Sequence, residues 1–475
     1  MSPARRSLLV GDDDSRHAVL DAETGVWWTV GGLRAGAAAV DAGITATIGS
    51  RRALLFLRCS NDMPTLLGYL AAIEHDRPVA LLDATMEPES FAALVQRYRP
   101  AVVLGGEHAP DGYRRAAATG DGPAQYARID GDDPAVADAL ALLLPTSGST
   151  GSPKFVRLSR GAVVANADSI GRALDIGAAD RAITSLPVHY SYGLSVVNSH
   201  LRRGAQLVLT GRNLLEDAFW ALVRDHAVTS MAGVPYSYQL LRRLDLDRLD
   251  VPALQTLTQA GGRLDAKLAA HFHQVISARG GRLFIMYGQT EATARIAICP
   301  ADALPAKPGS VGQAIPDGVL HILRDDGSVC HAGEPGEVEY VGPNVMLGYA
   351  DGPGDLSLGD VQGGRLATGD LGYLDDEGFL FITGRRKRIA KAFGYRLNLD
   401  EIEAALSSRG AVAAIAVDDR VVVFCEGWEP AAITEGLAHI ARLTHVHPSA
   451  FQFRGIGQLP VLPSGKIDYR TLEQT

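Results

Sequence analysis

The sequence predicts an α/β protein: two doubly wound lobes of sheet and helix, a β-rich stretch, and a small α+β piece at the C-terminal end. Three observations predict this. Short apolar runs of strand length alternate with helix-length amphipathic segments from residue 53 to residue 287, as in parallel strands joined by crossover helices. From Gly312 the runs become short and alternating between Gly, Pro and Asp turns, which suits antiparallel sheet or a small barrel. At 475 residues the chain is also too long for one ordinary core, so several subdomains are expected.

In chain order, residues 1–50 read as a helix-bearing lead-in, with Trp27 and Trp28 near a short strand and Gly31-Gly32 opening a helix. Ala53 to Leu57, Val79 to Leu82 and Ala101 to Leu104 are buried strands, separated by helices at Met63 to Ile73 and Phe91 to Tyr98. Asp111 to Asp133 is polar, rich in Gly and Ala, and reads as loop. Ala139 to Leu144 is another buried strand. Alternation then resumes. Helices are expected at Arg160 to Leu174, Tyr192 to Leu201, Ala218 to His226, Tyr236 to Leu244 and Lys267 to Arg279. Between them lie strands at Ala182 to Leu186, Gln206 to Leu209, Thr229 to Val234, Leu254 to Ala260 and Leu283 to Tyr287. The β-rich stretch spans 312–383, with runs at Val319 to Leu323, Gly336 to Val341 and Phe379 to Thr383. Beyond the basic segment Arg385 to Arg388, helices are expected at Asp400 to Leu406, Ile433 to Leu443 and Tyr469 to Leu472. Strands are expected at Val412 to Val417, Val421 to Cys425 and Phe451 to Phe453.

Bulk composition narrows the function. The chain is 47% hydrophobic and 21% charged, as globular proteins are, and its net charge of −9 argues against nucleic acid as a main partner. The four cysteines are far apart with no C-x-x-C pair, which points to a reducing compartment and away from a zinc site. Arg5 and Arg6 precede only Leu8-Leu9-Val10 before an acidic run, so no secretory leader is expected. No apolar run approaches the ~20 residues of a membrane span. A cytoplasmic location is the expectation.

The chemistry concentrates in a few segments. Thr146-Ser147-Gly148-Ser149-Thr150-Gly151-Ser152-Pro153-Lys154 follows a buried strand and carries four hydroxyls, two glycines and a terminal lysine. Close backbone approach, N–H and hydroxyl donors and a cation suit a phosphate. The spacing is not G-x-x-x-x-G-K-[ST], and a flexible Ser/Gly linker is the bland alternative. Tyr287-Gly288-Gln289-Thr290-Glu291 lies at the carboxyl end of a buried strand, where open α/β sheets bind ligands. Its ring can stack on a base, its hydroxyl can meet a phosphate, and its carboxylate can hold Mg²⁺ against phosphate oxygens. A polar turn with a core tyrosine is the alternative. Asp370 ends a Thr368-Gly369 run and is a natural acceptor for ribose hydroxyls or an ordinary turn residue. The cluster Gly384 to Arg388 is a solvated charged turn or a hinge with Arg385 on a nucleotide. Lys391, before Gly394-Tyr395-Arg396, and Lys466, in Pro463-Ser464-Gly465-Lys466, are surface lysines or site lysines.

Together these segments resemble the adenylate-forming superfamily of acyl-CoA synthetases, luciferases and peptide-synthetase adenylation domains, over nearly the whole chain. Six motifs carry the resemblance in the family's order. They are the Thr146–Lys154 phosphate loop, Tyr287–Glu291 (Y-G-x-T-E), Gly336-Glu337-Val338, Thr368-Gly369-Asp370, Gly384-Arg385-Arg386-Lys387 and Pro463-Ser464-Gly465-Lys466-Ile467. The resemblance implies an N-terminal domain over 1–386, comprising two α/β lobes and the β-rich subdomain, and a mobile C-terminal lid over 387–475. It implies an ATP- and Mg²⁺-dependent ligase that makes an acyl-adenylate from a small or medium acid, releases pyrophosphate and passes the acyl group to a thiol. Coenzyme A is the first choice of acceptor. The alternatives are a carrier-protein phosphopantetheine arm in natural-product assembly, an unusual acid such as nitrite, and a nucleotide-binding pseudoenzyme.

Residue roles follow from the resemblance. Thr146, Ser147, Gly148, Ser149, Thr150, Gly151 and Lys154 would cover the phosphates, and Gly261, Gly262, Arg263, Tyr287, Gly288 and Gln289 would line the base. Thr290 would meet the α-phosphate, Glu291 would hold Mg²⁺, and Asp370 with Arg385 would bind the ribose. Lys466 would bridge the acid and the α-phosphate, Lys387 would be the hinge, and Lys391 would serve the second half-reaction. The acid pocket would draw on His189, Tyr190, Tyr192, Asn198, Met231, Gly233 and Tyr236. One departure is visible. The family often has histidine closing P-[LMF]-[FY]-H, whereas Pro187-Val188-His189-Tyr190 places tyrosine there and histidine one position earlier.

Overall fold

In the computed structural model of the protein the described residues are 7–11, 13–116, 120–145, 154–392, 395–417, 420–444, 446–462 and 466–474. Side chains are placed for all of these except 247, 387, 389, 391, 392, 395 and 396. The chain divides into two compact units. The first comprises residues 1–308, 314–319 and 341–366, and the second 309–313, 320–340 and 367–475.

The first unit holds two large sheets. One has at its centre the parallel strands Leu140–Pro145, Val79–Asp83, Leu55–Cys59 and Val102–Leu104, with antiparallel strands outside them. Its central strands are continuous apolar runs because helices cover both faces, so no position can be spared for a polar side chain. Phe56, Tyr98 and Phe155 meet in its core, the last two edge to face with centroids 5.1 Å apart. Helix starts are set locally. Asp62 caps Met63–Glu74 by accepting from the Thr65 N–H at 2.8 Å, and Ser159 caps Arg160–Ala173 by accepting from Ala162 N–H at 3.0 Å.

The second sheet runs, in spatial order, Ala297–Cys299, Arg282–Tyr287, Thr256–Gln259, Ser230–Gly233, Arg181–Ile183, Gln206–Leu209, His17–Asp21 and Val26–Thr29. All but its outer pairs are parallel. After the first sheet the chain returns to this one at Arg181–Ile183, adds Gln206–Leu209 on one side, then crosses to add Ser230–Gly233 on the other. That reversal opens a crevice at the carboxyl ends of the strands, where α/β sheets bind ligands. Residues 184–192 leave the sheet at this point.

The second unit holds the β-rich stretch as a four-stranded sheet, in the order Val319–Leu323, Gly336–Val341, Arg365–Leu374 and Leu380–Arg385. It continues through the hairpin Ile389–Ala392 and Tyr395–Asn398 into the sheet Val412–Val417, Arg420–Glu426 and Phe451–Ile456, with helices Leu399–Leu406 and Pro430–Thr444. The expected boundary at 386/387 falls inside this unit. Asn398 Nδ2 donates to the Thr383 carbonyl at 3.3 Å, tying the helix start at Leu399 to the strand before the basic cluster. Arg388 is anchored here too. Its guanidinium lies 4.0 Å over the Tyr469 ring and donates to Asp400 and to Glu403, whose carboxylate also accepts from Tyr469 Oη at 2.9 Å and Ala414 N–H at 2.6 Å. Burial pushes the Glu403 carboxyl up, against the pull of Arg388. Arg388→Leu is therefore expected to destabilise this unit by about 3–5 kcal/mol, because it strands a buried carboxylate. Urea unfolding checks this, and Arg388→Leu combined with Glu403→Leu should recover part of the loss.

Several elements differ from expectation. Asp111 to Asp133 is not all loop: Tyr113–Arg115 and Gln125–Arg128 extend the first sheet, burying Tyr113, Gln125 and Tyr126. The strands Phe155–Ser159, Ala297–Cys299 and Gly348–Ala350 and the hairpin at 389–398 are additions. Each is short, and its pairing partner, not its own periodicity, makes it a strand.

Candidate active site

The strand Arg282–Tyr287 ends in a turn that only glycine permits: a Cβ on Gly288 would lie 1.9 Å from the Ala294 carbonyl oxygen. The short helical turn Thr290–Ala292 follows, and Thr293 holds φ at +64°, a strained value for a β-branched residue. The strain is offset by Asn344. Its carbonyl accepts from Thr293 Oγ1 at 2.7 Å, and its Nδ2 donates to the carbonyls of Ala292 and Arg295 at 2.8 and 2.9 Å. The turn thus fixes Thr290 and Glu291. Thr290 Oγ1 donates to Ser191 Oγ at 3.2 Å, at the start of helix Ser191–Arg202. The Glu291 carbonyl accepts from Met346 N–H at 2.8 Å, and its carboxylate accepts from Tyr349 Oη, also at 2.8 Å. Burial and the Glu291 charge both raise the Tyr349 phenol, so it stays a neutral donor.

Across the crevice, Gly261 sits at φ +85°, and a Cβ there would come within 2.7 Å of the Tyr190 hydroxyl. The segment carrying His189 and Tyr190 is pinned by Asn61, which donates to the Leu186 carbonyl at 3.1 Å and accepts from Val188 N–H at 3.0 Å. His189 Nε2 lies 3.6 Å from Asp83, but burial outweighs that carboxylate and lowers its pKa, keeping the imidazole neutral. Tyr192 Oη donates to the Thr258 carbonyl at 2.8 Å, and burial pushes the phenol up to about 12. Beside it, between helix Ser191–Arg202 and the sheet, lies a cavity with room of about 30 Å³ for water-sized occupants, lined by Tyr192, Ser195, His200, Met231, Thr258 and Arg295 among others.

In the second unit, Asp370 is buried and accepts from Arg385 Nε at 3.0 Å, the two residues facing each other across antiparallel strands. Gly369 at φ +72° turns the chain into Asp370, and Thr368 Oγ1 donates to the Val338 carbonyl at 2.7 Å while accepting from Asp370 N–H at 3.1 Å. The Lys466 carbonyl accepts from Leu462 N–H at 2.7 Å.

The model of the AMP-binding enzyme family matches residues 12–350. The chain belongs to that family. It is similar to the sulfoacetate–CoA ligase of Cupriavidus necator, 32% identical over 343 residues, covering 70% of this chain and 66% of that protein. It is also similar to the 2-succinylbenzoate–CoA ligase of Bacillus subtilis, 33% identical over 276 residues, covering 58% and 55%. The aligned stretch thus spans about half to two thirds of these relatives. Among solved structures, the o-succinylbenzoate CoA synthetase of Bacillus subtilis with its acyl-adenylate intermediate superposes with a TM-score of 0.78 at 22% identity, over 98% of this chain and 96% of that one, which establishes the shared fold.

For this AMP-binding enzyme the expected site residues divide in three. Tyr287 to Glu291, Gly261 to Arg263, His189, Tyr190 and Tyr192 surround the crevice of the first unit, and Asp370 pairs with Arg385 in the second. Residues 146–153 and 463–465 lie outside the described residues, as do the side chains of Lys387 and Lys391. Lys154, at the loop's end, pairs with Asp351 at 3.1 Å. Other pocket residues sit less as expected. Met231 lines the cavity, but Asn198 is engaged by Tyr69 Oη at 3.0 Å, Tyr236 is 39% exposed, and Gly233 is closed in by Ser237 and Tyr238. Sequence reasoning missed Ser195, His200 and Arg295. The signals were present as a serine stripe, Ser191, Ser195 and Ser199, at helical spacing, and as one arginine inside the apolar run Ala294 to Cys299.

Proposed function

We propose that this AMP-binding enzyme activates a small acid with ATP, forming an acyl-adenylate and pyrophosphate, and then transfers the acyl group to the thiol of coenzyme A. The observation that carries the reading is the Gly288 turn, which presents Thr290 and Glu291 at the sheet's switch-point crevice. Relatives named as acid–CoA ligases support it. In the first step a carboxylate oxygen attacks the α-phosphorus and pyrophosphate leaves. No general base is required, since the acid is ionised at pH 7. The reaction needs cations to offset the meeting of two anions. We assign that role to Lys466 at the α-phosphate, with Lys154 and residues 146–151 at the β- and γ-phosphates. Thr290 meets the α-phosphate, and Asp370 with Arg385 takes the ribose.

Glu291 fits a magnesium site of the kind that uses one carboxylate plus substrate phosphates, because its charge is oriented by Tyr349 and not neutralised by it. Glu291→Gln should raise the Mg²⁺ concentration for half-maximal pyrophosphate release by about tenfold or more. An unchanged Mg²⁺ titration refutes the role.

Coenzyme A is preferred over a carrier protein because the described arginines of the basic cluster suited to an acidic carrier already have carboxylate partners: Arg385 pairs with Asp370, Arg386 with Asp325 and Glu337, and Arg388 with Asp400 and Glu403. The test is a pyrophosphate-release screen over a panel of acids that includes nitrite, followed by mass spectrometry of products with coenzyme A and with a holo carrier protein. An acid-dependent signal and an acyl-CoA product are expected. ATP binding without release for any acid would leave only a nucleotide-binding role.

A further inference from the structure

Arg295 is the least expected cation in the molecule. Its side chain is 2% exposed and borders the cavity between helix Ser191–Arg202 and the sheet. Its guanidinium packs 4.6 Å over the Tyr192 ring and makes a long hydrogen bond, Nη2 to Ser195 Oγ at 3.4 Å. Its Nε has no partner among the described residues, and no described carboxylate pairs with it. The structural work at this position is done by the backbone, whose carbonyl accepts from Asn166 and Asn344 at 3.2 and 2.9 Å. A leucine or methionine would keep those bonds. Burying a guanidinium without an anion is unfavourable, since neither water nor a counter-charge balances its desolvation. The rest of the lining mixes apolar residues and neutral hydroxyls with two charged groups that are already engaged: Asp180 accepts from Gly177 N–H at 2.8 Å and Thr229 Oγ1 at 3.2 Å, and Arg282 Nη2 donates to the Leu174 carbonyl at 3.3 Å. His200 donates from Nδ1 to the Val196 carbonyl at 2.8 Å, so its Nε2 accepts from Ser230 Oγ at 3.2 Å. The space holds about two water-sized groups, too little for an acyl chain and enough for a compact oxyanion.

We propose that Arg295 receives a second anionic group of the acid substrate, remote from the carboxylate that is activated, so that the substrate is a short dicarboxylic acid or its sulfonate counterpart. The helix supplies the ruler. Thr290 meets Ser191 at the reacting end and Arg295 meets Ser195 one turn further along, a spacing of about 6 Å. An acid of about three to five carbons spans it.

The proposal rests on the acid-activating reading, and the test separates the two. Pyrophosphate release is measured with malonate, succinate, glutarate and 3-sulfopropionate against propionate, butyrate and valerate. A doubly anionic acid should be preferred by about 10²-fold or more in kcat/KM, because a buried donor set rejects analogues that leave it unpaired. Arg295→Met should lose most of that preference, chiefly through KM for the diacid, and Arg295→Lys should restore part of it. A merely structural arginine would lower all acids together. Equal turnover of mono- and diacids, or an unchanged ratio in Arg295→Met with its thermal melt intact, overturns the proposal while leaving acid activation standing. If no acid releases pyrophosphate, calorimetric titration with succinate decides: binding lost in Arg295→Met supports the anion site, and no binding to the unaltered protein overturns it.

Discussion

Lys466→Ala is expected to reduce acid-dependent pyrophosphate release by about 10²–10³-fold while leaving ATP affinity close to that of the unaltered enzyme. The asymmetry comes from when the charge is needed. In the proposed reaction the triphosphate would be held throughout by many groups, including Lys154 and the Thr290 turn. The repulsion between acid carboxylate and α-phosphate arises only as the new P–O bond forms. A cation placed there acts on the transition state more than on bound ATP, so its loss appears in kcat. Alanine retains the backbone hydrogen bonds at this position, Leu462 N–H to Lys466 carbonyl and Asp468 N–H to Pro460 carbonyl. Stopped pyrophosphate assays and nucleotide titration check both halves. Near-normal release would remove Lys466 from the chemistry.

The parallel cores were legible because their strands are buried on both faces. Leu140–Pro145 or Val79–Asp83 is apolar almost from end to end, and the crossover helices between such runs leave little choice of architecture. Phe155–Ser159 was not legible. It is a strand because it pairs with Leu140–Pro145 on one side and Gly348–Ala350 on the other, partners that its own five residues do not announce. The site shows the same division. Tyr287-Gly288-Gln289-Thr290-Glu291 could be found because a turn after a buried strand must carry its chemistry in consecutive residues. Arg295 could be noticed as an arginine in an apolar run but not interpreted, since its meaning depends on which groups surround it in three dimensions. Arg388 lay in a cluster that looked like one basic surface. Folding instead commits it to Asp400, Glu403 and Tyr469.

That commitment sharpens the proposed hinge. Arg386 is paired with Asp325 and Glu337, and Arg388 with Asp400 and Glu403, so Lys387 stands between two anchored neighbours. A change in backbone dihedral at this single position would swing the residues beyond it with both of these anchors kept, at the cost of the Asn398 Nδ2 to Thr383 carbonyl bond that spans it. Hinges of this kind concentrate a large φ/ψ change in very few residues. Lys387→Pro holds φ near −65° and removes one N–H, which restricts the motion. Adenylation is expected to stay within about threefold of the unaltered enzyme, while thioester formation falls by about 10²-fold or more, because a misplaced second site forfeits most of its orientation. Single-turnover pyrophosphate release and acyl-CoA formation, measured on the same preparation, separate the two. An equal loss of both would mean that proline has damaged the second unit and not its movement. Retention of both would mean that the reaction cycle does not turn on Lys387.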